Sequence, residues 1–435
     1  MKVKISNILI CLALMAASMP SFAQSGAYTG YSAYSVFGIG DISDMGCGWN
    51  RTMGGIGIAT RNRKLVNILN PAAVTARDSL SFMTDVSVLQ TNTILTQNDK
   101  HRVNNTANIN DLVISFPVYR SSALMFGVAP YSSGGYSFSA QTNTAVLPYT
   151  GAISQSSTGQ GSMYQAFAAA GVTFWRKLSL GVEYLYYFGD NKKVNYLTFS
   201  DSGSKGVISG YDISMRSGTV KLGAQYEQKL GALDMCLGAT YKAGARMRGK
   251  VKDYSLSGSV VVDTLRYNVA DLREGDGVRF ASEIGLGVSV RQSERWRVEL
   301  NYLFSDWSSS GFDTFVGLNN SSTRTFATRP ASSFRAGVEY TPNVNDIRYF
   351  YRRCTYRAGV YHNQMYYKFA GHGIAATGVT LGVTLPVFRL ANGLTLGVDL
   401  GQKGTVSDNL IRERYVNFTV SMNAFDLWFQ KPRYN

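Results

Sequence analysis

Alternation with a period of two runs through this chain, and it leaves few folds open. Residues 296–304 place Trp296, Val298, Leu300, Tyr302 and Phe304 on one face, opposite Arg297, Glu299 and Asn301. Residues 333–340 repeat the pattern, with Phe334, Ala336, Val338 and Tyr340 against Ser333, Arg335, Gly337 and Glu339. Val220, Leu222, Ala224 and Tyr226 oppose Lys221, Gln225 and Glu227. Leu394, Leu396, Val398 and Leu400 oppose Thr395, Gly397, Asp399 and Gly401, and Val416, Phe418, Val420 and Met422 oppose Tyr415, Asn417, Thr419 and Ser421. Successive strand side chains point to opposite faces, so each segment is a strand with one apolar and one polar face. After residue 23 no run of 18 apolar residues occurs, which excludes membrane-spanning helices.

A soluble sandwich alternates in the same way; the spacing of the segments separates the two folds. Fourteen candidate strands start near residues 79, 108, 122, 161, 177, 207, 232, 276, 295, 331, 353, 373, 392 and 411. Many reach the roughly 9–11 residues that a tilted strand needs to cross a bilayer. Tight turns at 119–121, 176–177, 229–231 and 292–294 alternate with long polar stretches at 142–160, 190–206, 263–275 and 306–330. Short turns on one rim and long loops on the other mark a transmembrane antiparallel β-barrel. The expected fold is therefore all-β, a barrel of about 14 strands over residues 79–435. Aromatic clusters near segment ends, as in residues 184–188 and 428–429, suit interfacial girdles. The polar face then lines the lumen with Asp85, Glu183, Lys221, Glu227, Arg297, Glu299, Arg335, Glu339 and Asp399. Their mixed signs suit pairing across strands.

Residues 1–23 read as a secretory signal peptide: Lys2 and Lys4, an apolar core at 8–17, and small residues at Ser21 and Ala23. Cys11 sits inside that core, which excludes a lipid-anchored first residue. The remaining Cys47, Cys236 and Cys354 match no zinc spacing and allow one disulfide at most. The chain carries 43 Lys and Arg against 28 Asp and Glu, a formal +15 that becomes +13 without Lys2 and Lys4. That balance suits an anionic lipopolysaccharide surface and requires no nucleic-acid partner. No Gly-x-Ser-x-Gly elbow occurs, and His101, His362 and His372 lie in no nucleophile motif. The expectation is a non-enzyme without catalytic residues, metal or cofactor. His362 and His372 flank Tyr366 and Tyr367, near what reads as an extracellular tip.

Residues 24–78 do not alternate. They hold Gly54, Gly55 and Gly57, then Asn70-Pro71-Ala72. No preceding strand and no downstream ribose-binding acid support a dinucleotide loop. Glycines instead permit close backbone packing, and Asn-Pro starts a turn. A compact segment of this length fits inside a barrel of this size as a plug.

Met53-Gly54-Gly55-Ile56-Gly57-Ile58-Ala59 followed by Asn70-Pro71-Ala72 resembles the N-terminal hatch of the FadL-type outer-membrane transporters of hydrophobic compounds. The opening at residues 34–41 and the end at 410–429 resemble outer-membrane proteins of the Bacteroidota. The likeness runs over the whole mature chain. It implies a 14-stranded barrel closed by a hatch, with Gly54, Gly55, Gly57, Asn70 and Pro71 on the ligand path. It also implies an inward kink of the third strand that opens the wall. Here that strand contains Pro130, Ser132, Ser133, Gly134 and Gly135; Pro130 cannot donate to a ladder and paired glycines weaken one. An ordinary bulge would carry the same residues. The chain departs from the family in ending on Tyr434-Asn435. Two functions stay open: passive uptake of hydrophobic molecules such as fatty acids, and a structural or partner-binding barrel of an outer-membrane secretion or assembly machine. The partners implied are outer-membrane lipid and lipopolysaccharide, a hydrophobic ligand, and other outer-membrane proteins.

Overall fold

The structure is a computed structural model and describes residues 30–43, 45–78, 81–119, 121–142, 153–199, 206–257, 266–273, 277–315, 317–319, 326–387 and 393–427. The expected signal peptide and residues 428–429 lie outside them. Fourteen strands form the wall: β1 (Ser81–Gln97), β2 (Lys100–Tyr119), β3 (Ser122–Ser133), β4 (Ile153–Phe174), β5 (Leu178–Phe199), β6 (Val207–Leu230), β7 (Leu233–Lys242), β8 (Glu283–Gln292), β9 (Trp296–Ser305), β10 (Ala331–Tyr340), β11 (Thr355–Phe369), β12 (His372–Pro386), β13 (Gly393–Lys403) and β14 (Arg412–Leu427). Each pairs antiparallel with the next, and β14 returns to β1 from Ser81↔Leu427 to Thr96↔Arg412, so the ring closes. Short additional strands extend the upper rim, among them Tyr136–Thr142 on β4 and Arg248–Ser257 on β6.

The outer face is the apolar one. Val220, Leu222, Val298, Leu300, Val338 and Val420 are exposed, whereas Lys221, Glu299, Arg335 and Asp399 are buried in the interior. A water-soluble sheet would show the reverse; this inversion is what a hydrocarbon solvent selects. Inside, the charges pair: Glu339 meets Arg357 at 2.7 Å and Arg297 at 3.6 Å, and Lys242 meets Glu283 at 3.1 Å.

Several expectations need correction. The second and fourth strands begin at Lys100 and Ile153, about eight residues before their alternation starts, because these extensions have no continuous apolar face. The rims are not cleanly sorted. The β1–β2 and β11–β12 turns on the long-loop rim are tight, and residues 341–354 make a long connection on the other rim. Among the described residues of the stretch 306–330, read as long and polar, Trp307, Phe312, Leu318 and Phe326 are buried in one cluster with Phe280 and Tyr187. Tyr366 and Tyr367, read as lying near an extracellular tip, are buried in the same cluster, with Trp307 and Tyr366 centroids 5.0 Å apart. A register shift between Gln364 and Lys368 breaks the alternation and turns both tyrosines inward. His362 stays exposed, bonded to Thr377 at 2.8 Å.

Leu300 sits midway along β9 and faces outward. Leu300→Arg should destabilise the folded barrel by about 2–4 kcal/mol, the cost of a basic side chain near the bilayer midplane. Urea titration in liposomes, with Leu300→Phe as the tolerated control, checks it.

Candidate functional site

Residues 30–78 run inside the barrel, and the wall is shaped to receive them. Inward positions that would carry side chains are glycines where the segment passes. A Cβ on Gly359 would stand 2.3 Å from the amide nitrogen of Gly54; on Gly238, 2.2 Å from the carbonyl of Ile58; on Gly181, 2.3 Å from the backbone of Pro71. These glycines neighbour others in the ladder, Gly337 beside Gly359, Gly287 beside Gly238 and Gly223 beside Gly181. Gly54, at φ +74°, faces the wall in turn: its own Cβ would lie 3.0 Å from the carbonyl of Val360. Gly55 abuts Arg335, and Gly57 abuts Asn50 and Asn67.

Wall side chains serve the backbone of this segment. Gly54 N–H donates to Thr380 Oγ1 at 2.7 Å, Arg335 Nη1 donates to the Gly55 carbonyl at 2.9 Å, and Ala59 N–H donates to Glu299 Oε1 at 2.9 Å. Thr60 hydroxyl donates to the other Glu299 oxygen. Asn70 accepts from Ala72 N–H at 3.0 Å and donates to the Ile58 carbonyl at 2.8 Å, which caps the short 3-10 turn Pro71–Thr75. Arg61 reaches Glu227 at 3.0 Å. Each of these satisfies a group that burial would otherwise leave unpaired.

Higher up, Lys403 pairs with Asp41 at 2.8 Å and Glu413 at 3.3 Å and donates to Ser32 Oγ at 2.8 Å. Glu413 also accepts Ala33 N–H at 2.5 Å. Tyr34 lies beneath Lys403, and burial, then Glu413, pushes its hydroxyl up to about 12. None of Asp41, Arg51, Lys403 and Glu413 was among the sequence candidates. Lys403 and Glu413 continue the inward phase of Asp399 and Asn417 and were legible; Asp41 and Arg51 sit in the aperiodic segment and give no such signal.

Among the described residues, the ladder between neighbouring wall strands stops early at one place. The β2–β3 ladder ends at Leu112↔Val128. Beyond it β3 turns inward, its pairing with β4 shifts between Pro130 and Ser132, and Ser132 and Ser133 pair with Ile42 and Asp41 instead of β2. Gly134 donates to Gly161, and Gly135 accepts from Ser32. Across the gap Arg102 and Tyr31 both donate to the Ser137 carbonyl, at 3.0 and 2.7 Å. A cavity of about 290 Å³ extends from Arg335, Tyr361 and Asp399 inside to Thr106 and Asn108 on β2, passing Pro130, Ser132 and Ser133. Gly54, Gly55, Gly57, Asn70 and Pro71 are buried against the wall or the segment itself and do not line this cavity; Gly134 and Gly135 are buried behind it.

A closed 14-stranded barrel with an apolar outer face, a polar interior and its N-terminal segment in the lumen defines an integral barrel of the outer-membrane type. The family model for BamG matches residues 4–435, and the chain belongs to the BamG family. Among solved structures it is similar to the toluene transporter TbuX of Ralstonia pickettii, at 16% identity over 89% of this chain and 98% of that one, TM-score 0.56. It is similar to a Pseudomonas aeruginosa FadL homologue at 12% identity, over 90% and 99%, TM-score 0.59. The Pseudomonas putida toluene transporter TodX matches at 16% identity, over 91% and 100%, TM-score 0.57. These likenesses establish the FadL-type barrel fold. No curated protein matches the chain.

Gly359→Val should keep the barrel and displace the lumen segment, because valine favours strands but its side chain collides with Gly54. The expected result is normal heat-modifiable mobility together with faster protease cleavage between residues 45 and 76. Val360→Leu, on the outward face, should change neither.

Proposed function

We propose that this protein is an outer-membrane channel that passes small hydrophobic molecules, fatty acids among them, passively from the lumen into the membrane between β2 and β3. Residues 24–78 act as its hatch and 79–435 as its barrel. The observation that carries this proposal is that the cavity reaches the place where the β2–β3 ladder stops, beside Pro130, Ser132 and Ser133. The toluene transporters of the same fold support it. The lining mixes Met45, Leu89 and Ile109 with Arg51, Asp399 and Lys403. Such a surface favours a molecule with an apolar body and a polar end over a plain hydrocarbon. Gly54, Gly55, Gly57, Asn70 and Pro71 then hold the hatch in place, and Gly134 and Gly135 hold the inward turn of β3.

A second function, the partner-binding barrel, is favoured by one specific feature. Residues 341–354, on the short-turn rim, present Ile347 fully exposed beside exposed Phe350 and Tyr351, interleaved with Arg348, Arg352 and Arg353. Asp346 orders the loop by accepting the N–H groups of Tyr349 and Arg348, which hold its carboxyl below the usual range. Exposed aromatic and arginine side chains on a hydrogen-bonded loop are the composition of a docking surface.

Thr106→Trp with Asn108→Trp fills the mouth of the cavity without touching β3. Uptake of a fluorescent fatty acid should fall to the level of cells lacking the protein, at normal barrel abundance. Unchanged uptake would reject the lateral route. Ile347→Asp with Tyr351→Ala addresses the second function. Loss of a stoichiometric partner from detergent extracts, with uptake intact, would decide for the docking barrel.

Deleting residues 27–70 should raise single-channel conductance in planar bilayers. Unchanged conductance would mean that another element blocks the lumen.

A further inference from the structure

The most unusual polar cluster in the molecule lies where the hatch segment meets the seam of the barrel. Cys47, just before the one-turn helix Gly48–Arg51, stands against Asp85 on β1 and Asp111 on β2. One ligand atom from each, the sulfur and two carboxylate oxygens, all lie within 4.8 Å of one another, and all three residues are completely buried. The cysteine comes from the lumen segment and the carboxylates from two adjacent wall strands, so no sequence spacing could display the set.

The hydrogen bonding there is incomplete. One Asp111 oxygen accepts from Ser87 and from Asn110 Nδ2 at 2.6 Å; the other has no partner. Asp85 accepts long bonds from Ser421, at 3.2 and 3.4 Å. Asn423 on β14 is the ladder partner of Asp85, is 1% exposed, and turns its amide toward that carboxylate without a well-formed hydrogen bond from either amide atom. Among the described residues no ion pair reaches either carboxylate; Arg51 is engaged by Asn110 and Ser43. Two buried carboxylates side by side are costly unless a proton or a cation lies between them. A buried amide with poorly formed hydrogen bonds at the same spot is costly too.

We propose that Cys47, Asp85 and Asp111 bind a zinc ion, with Asn423 or a water as the fourth ligand, and so pin the hatch segment to the β14–β1–β2 seam. The donor set decides the metal class. Calcium and magnesium take oxygen shells of six or more, whereas one sulfur with two carboxylate oxygens suits tetrahedral zinc. Ligand atoms about 2.0–2.3 Å from zinc stand about 3.5 Å apart, which the observed cluster meets with small side-chain movements. Binding releases the thiol proton and any proton shared by the carboxylates to solvent, leaving thiolate and two carboxylates on the ion. The site is structural, and it stands whether the barrel transports or docks.

The test uses the full mature chain, purified in detergent without chelators, incubated with zinc and passed through gel filtration. Elemental analysis should give one zinc per folded chain. Cys47→Ser and Asp111→Asn should lose it, and Cys236→Ser should keep it. Cobalt in place of zinc should give a thiolate-to-metal charge-transfer band that Cys47→Ser abolishes. Folded, heat-modifiable wild type that retains no more zinc than Cys47→Ser, and shows no such band with cobalt, would overturn the proposal. The carboxylates would then share a proton.

Discussion

The contact between the lumen segment and bare wall backbone governs the interior of this barrel. A ring of 14 strands encloses more space than wall side chains alone fill, and an unfilled lumen would be a water-filled pore. Glycine at Gly181, Gly238 and Gly359 lets a chain lie directly on the sheet. That closeness brings segment amides within reach of Thr380 and Glu299, and the Gly55 carbonyl within reach of Arg335. The same glycines weaken strands in isolation, because they supply no side chain to pack. The lumen segment supplies that packing, so the wall and its filling depend on one another.

Charge inside follows from the same geometry. With the apolar face turned to lipid, the inward phase of every strand must be polar, and each buried charge requires a partner. Lys403 links β13, β14 and the lumen segment by binding Glu413, Asp41 and Ser32 together. Removing either acid would leave Lys403 with the other carboxylate as its ionic partner and unlink one of the three parts. Glu339 does the same between Arg297 and Arg357 lower in the wall. Around Lys403 and Glu339 the polar lumen is thus held by paired charges.

Much of this was legible in the sequence because one physical rule governs the wall. Membrane-facing strands must alternate, so the number of strands, the closure and the facing of Leu300 and Glu299 could be read from residue order alone. Legibility stops where that rule stops. The rim extensions at Lys100 and Ile153 lack an apolar face and carry no period. A bulge hid the burial of Tyr366 and Tyr367, because alternation assigns neighbouring residues to opposite faces. Within residues 30–78 the glycines and Asn70-Pro71 betrayed tight packing and a turn. Nothing there revealed which wall residues Asp41, Cys47 or Arg51 would meet, since those meetings join the aperiodic segment to strands well removed from it in sequence.

The broken ladder beside Pro130 joins these themes. Backbone at membrane depth must be paired, buried in protein or open to water. Past Val128, β3 is paired with β4 on one side and with Asp41 and Ile42 on the other, and its Tyr131 carbonyl accepts from Ser43 N–H. The unpaired edge belongs to β2, and there the cavity, Arg102 and Tyr31 take the place of a strand. The inward turn is therefore not a defect of proline alone. It requires the lumen segment, because without Asp41 and Ile42 the displaced end of β3 would have no second ladder. An interruption maintained by a dedicated strand pair is built into the fold, and a molecule taking the proposed lateral route would meet the ionic groups behind it and the lipid in front.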